Sequence, residues 1–141
     1  MVTMNTEPVE PELRPYLLLL MELLTESPVR RNEELIPYEA VVTALESDTI
    51  ETEARLGIET TSRFSLGPFG NTATLCMQVV RGKYEIGVGW IAELLHKTEF
   101  TPERVKVCAS KMVNDVAQAK REGNSIVRDL MKAMYYDKGT G

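Results

Sequence analysis

His96-Lys97-Thr98-Glu99-Phe100 is the stretch closest to a metal-hydrolase pattern: it has the form H-x-x-E, with Phe where H-x-x-E-H carries a second imidazole. That pattern works because two histidines hold a metal while the glutamate activates its bound water, and phenylalanine cannot ligate zinc. His96 is the chain's one histidine, so chemistry needing two imidazoles cannot be assembled within these residues. The plainer role for His96 is a helical histidine near the negative, C-terminal end of the helix dipole.

Cys76 and Cys108 are the only cysteines, neither lies beside a histidine, and their spacing matches no zinc ligand set. Buried small apolar residues is the reading adopted for both; a thiol enzyme would need a partner brought in by the fold. Glu10-Glu12, Glu33-Glu34 and Thr52-Glu53 supply carboxylates that read as solvated faces. Gly67-Pro68-Phe69-Gly70 lacks the lysine and following helix of a phosphate loop and reads as a hairpin turn. Lys120, Arg121, Arg128 and Lys132 are diluted by Glu122 and Asp129, so they read as a helix surface rather than a phosphate-binding patch. No residue is assigned as catalytic, cofactor-binding or metal-ligating.

These residues sit in a chain of 141, with 43% hydrophobic, 26% charged and 6% aromatic residues. That composition suits one globular domain spanning residues 1–141 with a core of its own. Sixteen Lys+Arg against 21 Asp+Glu give a formal charge of -5, which argues against phosphate-backbone binding, so no nucleic-acid partner is expected. The longest apolar run, Tyr16 to Met21 with Leu23 and Leu24, is about half the ~18 to 20 residues that cross a bilayer. No membrane partner is therefore expected. Met1 to Pro11 lacks a secretion signal, and two cysteines point to a reducing, intracellular compartment, cytoplasmic or mitochondrial.

Hydrophobic periodicity predicts the elements. Val2 to Met4 reads as a strand stub, Leu13 to Thr25 as a mostly buried helix, and Val29 to Leu35 as an exposed charged loop. Pro37 opens a second helix ending near Asp48. Ile50 to Ile58 alternates with period two and is a strand with one wet face. Further strands are expected over Glu59 to Leu66 and Thr72 to Val80. Beyond Arg81-Gly82 a third helix carries Tyr84, Val88, Ile91, Leu94 and Leu95 on one stripe with Trp90 beside it. Thr101-Pro102-Glu103 starts a fourth whose inner face is Val105, Cys108, Ala109, Met112, Val116 and Ala119, with Gly123 as its stop. A fifth begins at Asn124 or Ser125 with Ile126, Val127, Leu130, Met131 and Met134 as its stripe, and Asp137 to Gly141 frays. The resulting class is α+β, an antiparallel three- to four-stranded sheet with about five helices packed on one face.

Several segments taken in order carry a family likeness: Glu12-Leu13-Arg14-Pro15-Tyr16-Leu17, Glu26-Ser27-Pro28, Ile36-Pro37-Tyr38-Glu39 with Val42, and Phe100-Thr101-Pro102-Glu103-Arg104. Asn114-Asp115, the run from Ala119 to Ser125, and Leu130 to Tyr136 follow. Together they resemble the insulinase and pitrilysin type zinc metallopeptidases, in the presequence-protease-like branch of fungi and other eukaryotes. The resemblance implies four related α/β domains in two halves that close on a peptide, with the zinc motif in the first domain alone. Lacking H-x-x-E-H, this chain resembles a non-catalytic domain of that set, truncated by its first strand. It would bind no cofactor itself, zinc belonging to the catalytic domain of the parent protein. Implied partners are the other domains, peptide in the chamber, and a second copy through an exposed sheet edge. An independent protein- or peptide-interaction module using that edge is the alternative reading.

Overall fold

A run of period-two alternation places β4, Glu51–Leu56, beside β5, Thr72–Gln78, and β5 in turn pairs with β1, Val2–Asn5. Both pairings are antiparallel and the strand order is β1-β5-β4. The computed structural model describes residues 1–58, 69–119, 121 and 123–135; the strand expected over Glu59 to Leu66 and the fraying expected from Asp137 lie outside them. Register puts Val2 opposite Leu75, Met4 opposite Ala73, and Ala54 opposite Leu75, so these side chains share one face. Glu51, Glu53, Arg55, Thr74 and Cys76 share the other.

The apolar face is covered by helices, and the class is α+β. α1, Leu17–Thr25, follows a 3₁₀ turn over Arg14–Tyr16 and packs on β4. Its Met21 and Leu24 bury with Ala73, against Met4 and Leu56. α2, Tyr38–Asp48, and α3, Tyr84–Lys97, close a second cluster in which Val41, Leu45, Leu75, Trp90 and Leu94 are buried together with Val29. α4, Pro102–Ala119, lies on α1, and α5, Gly123–Tyr135, completes the described helices.

Four local expectations are corrected. Val29 to Leu35 is not a loop but a separate hairpin, β2 (Val29–Arg31) with β3 (Glu34–Ile36). Its charged residues hide the strand signal. Asn32 and Glu33 take φ of 50° and 70°, the two left-handed positions of a tight hairpin turn, and Val29 is fully buried. Gly123 does not stop α4; it opens α5. On α4, Arg104 joins Cys108 on the buried side while Val116 is exposed. On α3 the buried face is Gly87, Trp90 and Leu94, leaving Tyr84 and Val88 in solvent.

The rotation of α3 follows from Gly87. A Cβ there would stand 2.9 Å from Val79 Cγ1 and 3.3 Å from Cγ2, so the missing side chain lets the helix meet the segment after β5. At Gly89 a Cβ would meet nothing within 4 Å. Gly87→Ala is therefore expected to destabilise by about 1 kcal/mol, overpacking outweighing helix propensity, whereas Gly89→Ala should stabilise by roughly 0.5 to 1 kcal/mol. Urea unfolding of the pair checks this, and equal signs would contradict the close approach.

Candidate functional site

The chain passes from α2 to β4 within two residues. Thr49 ends the helix by donating its N–H (2.9 Å) and its hydroxyl (2.7 Å) to Leu45 O, and its Oγ1 lies 3.1 Å from Thr52 Oγ1. This tight passage leaves a groove of about 510 Å³ between the C-terminal end of α1, the side of α2 and the start of β4. Tyr38, Val42 and Leu45 give it apolar walls, Ile50 is an exposed apolar residue at its mouth, and Glu26, Glu46 and Glu51 add carboxylates. Gln78 Nε2 donates to Glu51 Oε2 at 2.6 Å across the β4–β5 pair. Among the described residues β4 pairs with β5 alone, and its first residues, Glu51 and Thr52, line the groove.

One wall is braced by a charged cluster. Arg104 enters from the first turn of α4, where Thr101 Oγ1 accepts its backbone N–H at 3.3 Å. Its Nε donates to Glu26 O at 2.7 Å, a terminal nitrogen lies 3.4 Å from Glu26 Oε2, and the guanidinium sits 3.7 Å above the Tyr38 ring. Lys111 binds Glu22 at 2.8 Å and also Glu26. Burial pulls the Lys111 pKa down, but bonds to these two carboxylates outweigh it and raise the ammonium above its ordinary value. Cys108 is wholly buried, 3.8 Å from Glu26 Oε2. Desolvation first, and the Glu26 charge second, push its thiol up, which keeps it protonated and poorly nucleophilic.

A second network lies on the far side of α2. Arg31 grips Glu93 with Nε at 2.8 Å and Nη2 at 2.6 Å, and its guanidinium lies 4.8 Å from the Trp90 ring centroid. Trp90 Nε1 donates to Asp48 Oδ2 at 3.0 Å, and Lys83 Nζ donates to Asp48 Oδ1 at 3.0 Å and to Ser47 O at 2.8 Å. The shallow cleft here, about 280 Å³, is lined by charges that already compensate one another.

The Arg31 hydrogen bond holds the Glu93 carboxyl below the ordinary carboxylate range against an opposing effect of burial. The Trp90 N–H, then Lys83, does the same for Asp48. Both carboxyls are depressed, so the stability they contribute is complete above their unfolded-state pKa and is lost as pH falls through and below it. The urea midpoint should begin to drop as pH falls below about 5, and Glu93→Gln should flatten part of that drop. Parallel curves for the two proteins would show that Glu93 contributes none of it.

His96 lies exposed in the last turn of α3. Its would-be partner Glu99 has left the helix: its N–H bonds Pro28 O at 2.9 Å and its carboxylate accepts from Arg30 Nε at 2.8 Å. The H-x-x-E residues are therefore not brought together, and no cluster of three or more potential metal ligands occurs among the described residues. Cys76 is half-buried on β5 opposite Glu53, whose carboxylate pairs with Arg55. The basic run at Lys120 and the Gly67-Pro68 turn lie wholly or partly outside the described residues. No described helix is long and apolar enough to cross a membrane. Sequence reasoning missed Arg104; its signal was an arginine four residues before Cys108, on the stripe that α4 buries.

No protein-family model matches the chain, and no solved structure matches it. It is similar to an uncharacterized protein of Schizosaccharomyces pombe, 27% identical over 137 residues, covering 94% of this chain and 13% of that one. A Caenorhabditis elegans protein, also uncharacterized, is 26% identical over 129 residues, 92% of this chain and 12% of its own length. A Saccharomyces cerevisiae protein of the same description is 26% identical over 104 residues, 74% and 9%. The chain thus spans about a tenth of the length of the curated relatives it matches.

Proposed function

We propose that the chain is a non-catalytic structural domain of a zinc metallopeptidase-like protein, helping to form the chamber that encloses a peptide. The observation that carries this reading is the groove between α1, α2 and the β4 edge. It offers apolar walls, carboxylates and strand backbone to an extended chain. The ordered family-like segments, and relatives in which the matching stretch is a small part of a long protein, support the same reading.

His96 and Glu99 do not form the pair a zinc centre of the H-x-x-E kind would need, because Glu99 is committed to Arg30 and stands clear of the helix that carries His96. What these residues would do is wall the chamber, keep bulk water and large folded proteins from the peptide, and hold it near chemistry supplied by another domain. An intracellular address, cytoplasmic or mitochondrial, goes with this proposal. An independent interaction module remains the second reading, favoured by the β4 edge. Micromolar peptide affinity of the isolated chain along β4 would select it.

The test is zinc content and peptide hydrolysis of the purified chain. The expected result is substoichiometric zinc and no turnover; tightly bound stoichiometric zinc with hydrolysis would defeat the proposal.

A further inference from the structure

Every polar side-chain atom among the described residues that line the groove between α1, α2 and β4 is an oxygen. Three of its hydroxyl protons are already spent inside the protein. Thr25 Oγ1 donates to Glu22 O at 3.3 Å, and Thr49 Oγ1 donates to Leu45 O at 2.7 Å. With its own proton on Leu45, Thr49 can only accept from Thr52 across their 3.1 Å contact, which leaves the Thr52 oxygen as an acceptor. The carboxylates divide into two kinds. Glu26 is matched by Arg104 and Lys111 behind the wall. Among the described residues Glu46 has no cationic partner, and Glu51 meets the neutral amide of Gln78, which donates to it without cancelling its charge. The groove therefore presents hydrogen-bond acceptors and two unneutralised negative charges beside the apolar Val42, Leu45 and Ile50.

We propose that the groove is a binding site for a linear aliphatic diamine or polyamine. An alkylammonium group carries three donors and no acceptor, the complement of a lining whose hydroxyl protons are used and whose carboxylates are ionised. Two such groups on one ligand answer the two charges of Glu46 and Glu51. The methylene stem between them lies on Val42 and Ile50, as the stem of a lysine covers apolar surface while its head stays polar. A carboxylate or phosphate ligand would instead meet like charge and acceptors facing acceptors. The groove, about 510 Å³, is within the range of small-molecule sites, roughly 300 to 1,000 Å³. The formal charge of -5 on the chain adds a longer-range attraction for a cation. The inference goes beyond the peptidase reading, because neither zinc nor a peptide enters it, and an amine held here would compete with a peptide for the same groove.

Isothermal titration calorimetry of the full chain with cadaverine tests it, with pentylamine as the same stem carrying one charge and magnesium chloride as the same charge without a stem. Cadaverine is expected to bind one to one with a dissociation constant at or below about 1 mM at low salt. Pentylamine should bind about fivefold more weakly and magnesium more weakly still. Glu46→Gln and Glu51→Gln should each weaken cadaverine by about fivefold, the worth of one exposed charge pair. Ile50→Ser should weaken cadaverine and pentylamine alike, since Ile50 is exposed and its loss leaves the core intact. Glu39→Gln removes the same charge from an exposed α2 residue outside the groove and should change nothing. Absence of cadaverine binding up to about 10 mM, magnesium binding as tightly as cadaverine, or Glu39→Gln weakening it as much as Glu46→Gln would each overturn the proposal. A blocked leucine-lysine-leucine peptide binding more tightly than cadaverine would assign the groove to a lysine side chain instead, overturning the free-amine site while leaving the peptide reading in place.

Discussion

Arg104→Ala is expected to lower the unfolding free energy by about 3 kcal/mol, the lower end of the range for breaking a buried ion pair. The guanidinium is 10% exposed and does three things at once: it hydrogen-bonds the Glu26 carbonyl that ends α1, faces the Glu26 carboxylate, and stacks on Tyr38 at the start of α2. Losing it removes the one α4 side chain described as reaching both helices that wall the groove. The figure is not larger because Glu26 is 28% exposed and keeps Lys111 as a second cation. For a chain of this length the melting temperature should fall by on the order of 10 °C. Arg104→Lys should recover only part of the loss, since an ammonium can meet Glu26 but offers neither the planar fork nor the same stacking. Urea unfolding of the three proteins decides it. A loss below about 1 kcal/mol for the alanine variant would place Arg104 with exposed ion pairs of small worth.

Residue patterns announce some of these elements and conceal others for identifiable reasons. The alternation from Ile50 marks β4, Pro37 marks the start of α2, and Thr101-Pro102-Glu103 marks α4, because in each the local chemistry and the final packing agree. β2 and β3 escape notice because Arg30, Arg31 and Glu34 replace the apolar alternation, and two of these side chains find distant partners. Arg30 pairs with Glu99 and Arg31 with Glu93, over sixty residues away. The inner face of α3 is misjudged because periodicity weights large apolar residues, while the closest approach is made by Gly87, which has no side chain to count. The groove has no local signature at all. It exists because the end of α1, the side of α2 and the start of β4 meet, and no window of sequence contains all three.

The same dependence on distant partners makes Trp90 the other position of large effect. Trp90→Ala should destabilise by about 4 kcal/mol, in the range for emptying a buried aromatic site. The ring is 5% exposed among Val29, Val41, Leu45, Leu75 and Leu94, so the cavity would open in the larger of the two clusters. Trp90→Phe keeps most of the apolar volume and should lose only about 1 kcal/mol, because Asp48 would still hold Lys83 and would not be orphaned. The phenylalanine variant separates packing from electrostatics. With the indole N–H gone, the strongest influence holding the Asp48 carboxyl down is removed, and its pKa should move back towards the ordinary carboxylate value. The acid-side loss of stability should therefore be shallower in Trp90→Phe than in the parent, since a smaller shift gives less pH-linked stability to lose. As Trp90 is the chain's one tryptophan, circular dichroism rather than fluorescence must follow these unfolding curves. Equal losses for the phenylalanine and alanine variants would assign the residue's effect to the hydrogen bond. A phenylalanine variant with an unchanged acid limb would show that Lys83 alone sets the state of Asp48.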